Sequence, residues 1–175
     1  MMLLITLMTL LNSFANIDFG TKKQGADWYV INDTVMGGRS ASQITIEKDA
    51  LKFTGNVSLE NNGGFVSLRA PFGTYDLTSY STVSIQYKSP THSFAMMMET
   101  DELWYVPYFK QGLPLADEYT TITLQLADFE AYRIGQPTGE LLTQSRKNEI
   151  IRLGFINNDK TTGHFELSIK EIQFK

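Results

Sequence analysis

From Asn16 onward, apolar and polar residues alternate with a period close to two. Ile44-Thr45-Ile46, Leu51-Lys52-Phe53 and Val57-Ser58-Leu59 set the pattern, and Phe65-Val66-Ser67-Leu68 and Val83-Ser84-Ile85-Gln86-Tyr87 continue it. Ile122 to Leu126 and Phe165 to Ile169 repeat it further along. Successive side chains of a strand point to opposite faces, so this is the text of strands with one buried face. Turn-forming residues fall between the runs at Lys48-Asp49, Pro71-Phe72-Gly73, Ser89-Pro90, Gly112 to Pro114, Pro137 to Gly139 and Asn157-Asn158-Asp159. Roughly ten strands at this spacing predict an all-β fold, a jelly-roll sandwich of two antiparallel sheets. The alternation predicts that Phe53, Val57, Leu59, Phe65, Leu124, Leu126 and Phe165 are buried. Glu140 to Asn148 is the one candidate for a short helix.

Residues 1–15 break the pattern. Met1 to Leu11 is almost wholly apolar, and Asn12-Ser13-Phe14-Ala15 ends in a small residue with another two places before it. This is the text of a secretory signal peptide cut after Ala15, leaving 16–175 as a single β-sandwich domain. The run lacks a basic flank and is short for a membrane span, and a buried first strand or a misplaced start codon is the alternative. With a signal, the mature chain is exported to the periplasm or cell envelope and carries no integral membrane span; without one, it is cytoplasmic.

Composition narrows the chemistry. A chain of 175 residues with 42% hydrophobic and 19% charged residues is an ordinary globular domain with room for a core. The net charge of −4, with no basic run longer than Arg146-Lys147, argues against nucleic acid. The absence of cysteine excludes disulfides, thiolate metal sites and a Cys nucleophile. His92 and His164, far apart in the chain, read as surface residues at strand ends rather than as bases or ligands. The acids Asp33, Asp76, Glu99 and Asp101 have no spacing that pairs them. No nucleophile, metal or cofactor signature is present, and the expectation is a non-enzymatic binding protein without cofactor.

Two segments stand out. Asn32-Asp33-Thr34-Val35-Met36-Gly37-Gly38-Arg39-Ser40 and Asn61-Asn62-Gly63-Gly64-Phe65 each set short hydrogen-bonding side chains near a glycine pair. Asn and Asp bond nearby backbone, and Gly adopts positive φ at little steric cost, so both read as tight, over-specified turns. Asn32, Asp33, Arg39, Asn61, Asn62 and Arg69 suit a structural network in which an arginine of one segment clamps the other. A binding site for a ligand or protein partner at the same loops is the alternative. Trp104-Tyr105 completes the candidates: on a strand, one ring of the pair would be exposed or line a cleft. Trp28 and the run Met96-Met97-Met98 read as core, with a soft contact surface as the alternative for the methionines.

At these residues the chain resembles the NADH:ubiquinone oxidoreductase complex I intermediate-associated protein 30 family. Trp28 precedes the Asn32 to Ser40 signature, and Phe53-Thr54-Gly55-Asn56-Val57-Ser58-Leu59-Glu60 leads into Asn61 to Phe65 and Arg69. Asp76 to Tyr80, Trp104-Tyr105, Tyr108-Phe109, Leu126 to Phe129 and Gly163 to Leu167 follow in the expected order. Tyr119 stands where the pattern has a second Trp. The resemblance implies a galactose-binding-like jelly roll acting as an assembly factor that recognises a protein partner. A carbohydrate-binding module, with a glycan as partner, is the second reading, since such sandwiches pair aromatic rings with Asn, Asp and Arg.

Overall fold

A computed structural model describes residues 14–175. Its thirteen strands are β1 (Asn16–Asp18), β2 (Tyr29–Asn32), β3 (Ala41–Ile46), β4 (Leu51–Val57), β5 (Val66–Arg69), β6 (Thr82–Ser89) and β7 (Phe94–Glu99). They continue as β8 (Tyr108–Leu113), β9 (Ala116–Gln125), β10 (Glu130–Arg133), β11 (Gln136–Leu141), β12 (Arg152–Asn157) and β13 (Gly163–Phe174). A six-stranded sheet has the order β3-β4-β13-β6-β9, with β1 also paired to β13. A seven-stranded sheet has the order β11-β10-β8-β7-β12-β5-β2. Neighbouring strands are antiparallel, as the all-β sandwich reading requires.

The core lies between the sheets. Phe53 of β4 and Phe165 of β13 meet edge to face at 4.9 Å between ring centroids, and Phe94 of β7 closes on Phe165 at 5.5 Å. Val57, Leu124 and Leu126 are buried with them, as the alternation predicts. Trp28 is buried against Phe19 and Phe155. Met96 and Met98 belong to the core, while Met97, though buried, points to the other face of β7.

Four expectations need correction. Leu59 is exposed and Phe65 only half-buried, because β4 ends at Val57 and the chain enters a 3₁₀ turn over Glu60–Asn62, where alternation no longer applies. Only part of the helix expected over Glu140 to Asn148 forms, as a 3₁₀ helix over Gln144–Glu149; Glu140 and Leu141 instead end β11. The left-handed pair Ile134-Gly135 folds β11 back onto β10, which takes those residues for the sheet. His92 is buried rather than at the surface, its Nε2 3.1 Å from the Thr161 carbonyl and its ring edge-on to Phe165.

The apolar run Met1 to Leu11, and with it most of the expected signal peptide, lies outside the described residues. Phe14 and Ala15 are described and dock on the sandwich. The Phe14 ring meets Tyr75 at 5.4 Å and Phe174 at 6.2 Å, and the Ala15 carbonyl accepts from the Phe174 amide.

Candidate functional site

The two glycine-pair segments meet on one carboxylate. Asp33, fully buried, follows the last residue of β2 and opens a 3₁₀ turn over Asp33–Met36. Its Oδ1 accepts from the Ser40 amide at 2.9 Å, and its Oδ2 from the Ser40 hydroxyl at 2.6 Å and the Gly64 amide at 2.6 Å. The Phe65 amide adds a longer contact at 3.3 Å. Burial alone would raise the pKa of this carboxyl, but the bonds from Ser40, Gly64 and Phe65 outweigh it and hold the pKa below its ordinary value.

The glycines divide two tasks between them. Gly37 (φ 87°) and Gly64 (φ 120°) occupy backbone conformations that disfavour side chains. Gly38 and Gly63 are needed for space, since a Cβ on either would collide with the Asp33 carboxylate. Asn61, itself left-handed at φ 55°, donates from Nδ2 to the Gly37 carbonyl at 3.1 Å and ties the second segment to the first. Asn62 is also left-handed and is exposed. Asn32 accepts from the Ser42 hydroxyl at 2.5 Å, fastening the end of β2 to β3.

The clamp between segments is therefore Asp33, not an arginine. Arg39 pairs with Glu60 of the other segment at 2.8 Å, but both are well exposed, and such a pair contributes at most about 1 kcal/mol. Arg69 takes no part, because it sits at the far end of β5. Beside the exposed polar groups the same end holds three apolar side chains outward: Val35 is 71% exposed, Met36 62% and Leu59 43%. Leu59 also lines a depression of about 570 Å³, together with its neighbours from Asn56 to Glu60 and with Thr162 and Gly163.

The opposite end of β2 and β5 carries different chemistry. Glu99 accepts from Arg69 Nη1 and from both Nε and Nη2 of Arg152. Arg152 Nη1 also donates to the Tyr29 hydroxyl at 2.6 Å, and its guanidinium lies 4.0 Å from the Phe72 ring centroid. Burial would lower the pKa of Arg152, but Glu99 and Tyr29 hold it raised. Tyr108 and Tyr132, paired across β8 and β10, have nearly parallel rings at 28° with centroids 6.5 Å apart. Trp104 and Tyr105 occupy a turn between β7 and β8 rather than a strand, so both are exposed, at 71% and 43%. Arg133 donates to the Tyr105 carbonyl at 3.2 Å and holds that turn beside β10.

Of the candidates from sequence, Asn32, Asp33, Arg39, Asn61 and Asn62 thus gather at one end of the sheet, and Arg69, Trp104 and Tyr105 at the other. Glu99, Arg152, Tyr29 and Lys110 were not singled out as binding residues. The signal for them was the alternation itself, which sets Tyr108 and Lys110, Glu130 and Tyr132, and Arg152 and Gly154 on the faces opposite their core neighbours.

The profile of the family described as complex I intermediate-associated protein 30 matches residues 17–169. The chain belongs to that family. The matched span includes both glycine-pair segments that meet on Asp33. No curated protein matches the chain. Among solved structures it is similar to the family 11 carbohydrate-binding module of the cellulosomal cellulase Lic26A-Cel5E of Clostridium thermocellum. The two share 14% identity at a TM-score of 0.61, over 85% of this chain and 88% of that one. A family 11 module from the same organism, in complex with a β-1,3-1,4-mixed-linked tetrasaccharide, gives 12% identity and a TM-score of 0.62, over 90% and 95%. A family 29 carbohydrate-binding module gives 14% and 0.53, over 91% and 86%. These likenesses show the jelly-roll fold.

Proposed function

We propose that this chain is a non-enzymatic binding protein that recognises a protein partner through the apolar knuckle of Val35, Met36 and Leu59, in the manner of an assembly factor. One observation carries the reading: side chains with no packing role in this chain are held outward on a frame that Asp33 makes rigid. Val35 and Met36 lie within the family signature, yet the core does not use them. Scattered exposed apolar residues are ordinary, but three on two tied segments, one of them lining an open depression, suit a contact surface. A pre-organised apolar patch suits a protein that still exposes apolar surface of its own, since little ordering entropy is lost on docking. The family's description names an intermediate of complex I; the proposal takes from it the class of role, recognition of a protein during assembly.

The test is capture from native envelope and cytosol fractions with the wild-type chain and with a Val35→Ser, Met36→Ser double variant. Both substitutions are on exposed positions, so melting should be unchanged. The expected result is one discrete partner whose recovery falls by roughly tenfold or more in the double variant, a loss of about 1.4 kcal/mol. Equal recovery by both proteins overturns the proposal.

A further inference from the structure

The outward face of the seven-stranded sheet, remote from the knuckle, is built as a second site. Leu68, Met96, Met98, Phe109, Ala131 and Leu153 turn to the core, so their neighbours in β5, β7, β8, β10 and β12 turn away from it. The register sets Gly154 between Arg69 and Met97, Met97 beside Lys110, and Lys110 beside Glu130. Gly154 has no room for a side chain: a Cβ there would lie 2.6 Å from the Leu68 carbonyl oxygen and 3.2 Å from Arg69 Cδ. The Arg69 stem therefore lies flat across the middle of the face, and its head is fixed by Glu99 and by the Ser67 hydroxyl at 3.1 Å.

The charges on this face are already answered. Arg69 and Arg152 share Glu99, and Lys110 stands opposite Glu130 with its ammonium 2.7 Å from Asn158 Oδ1 and 4.1 Å from the Tyr132 ring centroid. Replacing a buried ion cluster of this kind by apolar residues is often neutral or stabilising, so the cluster is weak as a stabilising device. What it provides is a floor of oriented donors and acceptors with little net charge. Around it stand aromatic rings rather than the aliphatic groups of the knuckle: Tyr108 and Tyr132 on the face, Tyr29 and Phe72 at one side, Trp104 and Tyr105 on the turn. An anion would have to displace Glu99 from its arginines and approach Glu130. A neutral polyol needs no such exchange, and its C–H faces pack on aromatic rings while its hydroxyls take the fixed polar groups.

We infer that this face binds a neutral oligosaccharide, with Tyr108, Tyr132 and Trp104 as stacking rings and Arg69, Glu99 and Lys110 as the polar floor. The site is independent of the protein contact proposed above and lies at the other end of the same strands.

Trp104 reports on it directly, because the other tryptophan, Trp28, is buried in the core. Titration with cellohexaose, xylohexaose, mannohexaose and galactohexaose, each to about 10 mM, is followed by tryptophan fluorescence and by backbone amide shifts. At least one neutral hexamer should give a saturable change confined to β5, β7, β8, β10, β12 and the 100–107 turn. Its affinity should fall roughly tenfold or more in Tyr132→Ala and in Trp104→Ala, the latter on an exposed turn where folding is not at stake. The Val35→Ser, Met36→Ser protein should bind it as the wild type does, which separates this site from the knuckle. No saturable change with any neutral hexamer, saturation only by an oligouronate added as control, or affinity unchanged in both aromatic variants overturns the inference.

Discussion

Replacing Asp33 by alanine removes the acceptor that joins the two signature segments, and its cost can be worked from the contacts. Four donors lose their partner: the Ser40 amide and hydroxyl, and the amides of Gly64 and Phe65. The Ser40 hydroxyl keeps its bonding with Ser58, and Gly64 and Phe65 are half-buried, so water reaches part of the gap. The Ser40 amide is sealed in, and an orphaned buried donor costs about 1–3 kcal/mol. With smaller losses at the other three, the sum is about 3–4 kcal/mol, or roughly 10 °C in melting temperature for a domain of this size. Asp33→Asn should do comparable harm, because an amide would turn its own N–H toward amides that need an acceptor. The pH dependence has a definite sign. The folded pKa lies below the unfolded one, so the contribution of Asp33 is full above about pH 4 and is lost as pH falls through the folded value. Urea denaturation at several pH values should therefore show the variant curve flatter than wild type on the acid side. An Asp33→Ala protein melting within about 2 °C of wild type would refute the reasoning.

Other substitutions discriminate further. Gly37→Asn should be nearly silent, since Asn tolerates left-handed backbone and the position opens to solvent, whereas Gly38→Asn should destabilise by roughly 2 kcal/mol or more through collision with Asp33; equal melting temperatures would mean the division of tasks between the glycines is wrong. Glu99→Ala strands two largely buried guanidinium groups and should cost about 3–5 kcal/mol in denaturant unfolding, while the joint change Glu99→Leu, Arg69→Met, Arg152→Met should restore much of that loss.

The strands were legible because burial on one face imposes a period of two on the sequence, and Val83 to Tyr87 and Phe165 to Ile169 carry it plainly. Where a strand stops, the period gives no warning: Leu59 continues the alternation of β4 on paper but sits beyond its end. Trp104 and Tyr105 failed for the same reason, their opposite-face reading holding only on a strand. The glycine pairs were legible as turns from local chemistry alone. That a single carboxylate joins them was not, because Asp33 and Gly64 are 31 residues apart and no spacing rule links them. The Arg69, Glu99 and Arg152 cluster joins residues 30 and 53 apart and depends on β5, β12 and β7 being neighbours, which only the sheet order supplies.

The proposed contact lies at the signature end of the sandwich, where Val35 and Met36 would touch a protein. A photo-crosslinking amino acid at position 35, in the full chain expressed in its native host, tests this contact, with Ile134 as a similarly exposed apolar control remote in sequence. Position 35 should give a discrete adduct of a single protein that is lost when Met36 is also changed to Ser, and position 134 should give none. No adduct at position 35, or the same adducts at both positions, would contradict it.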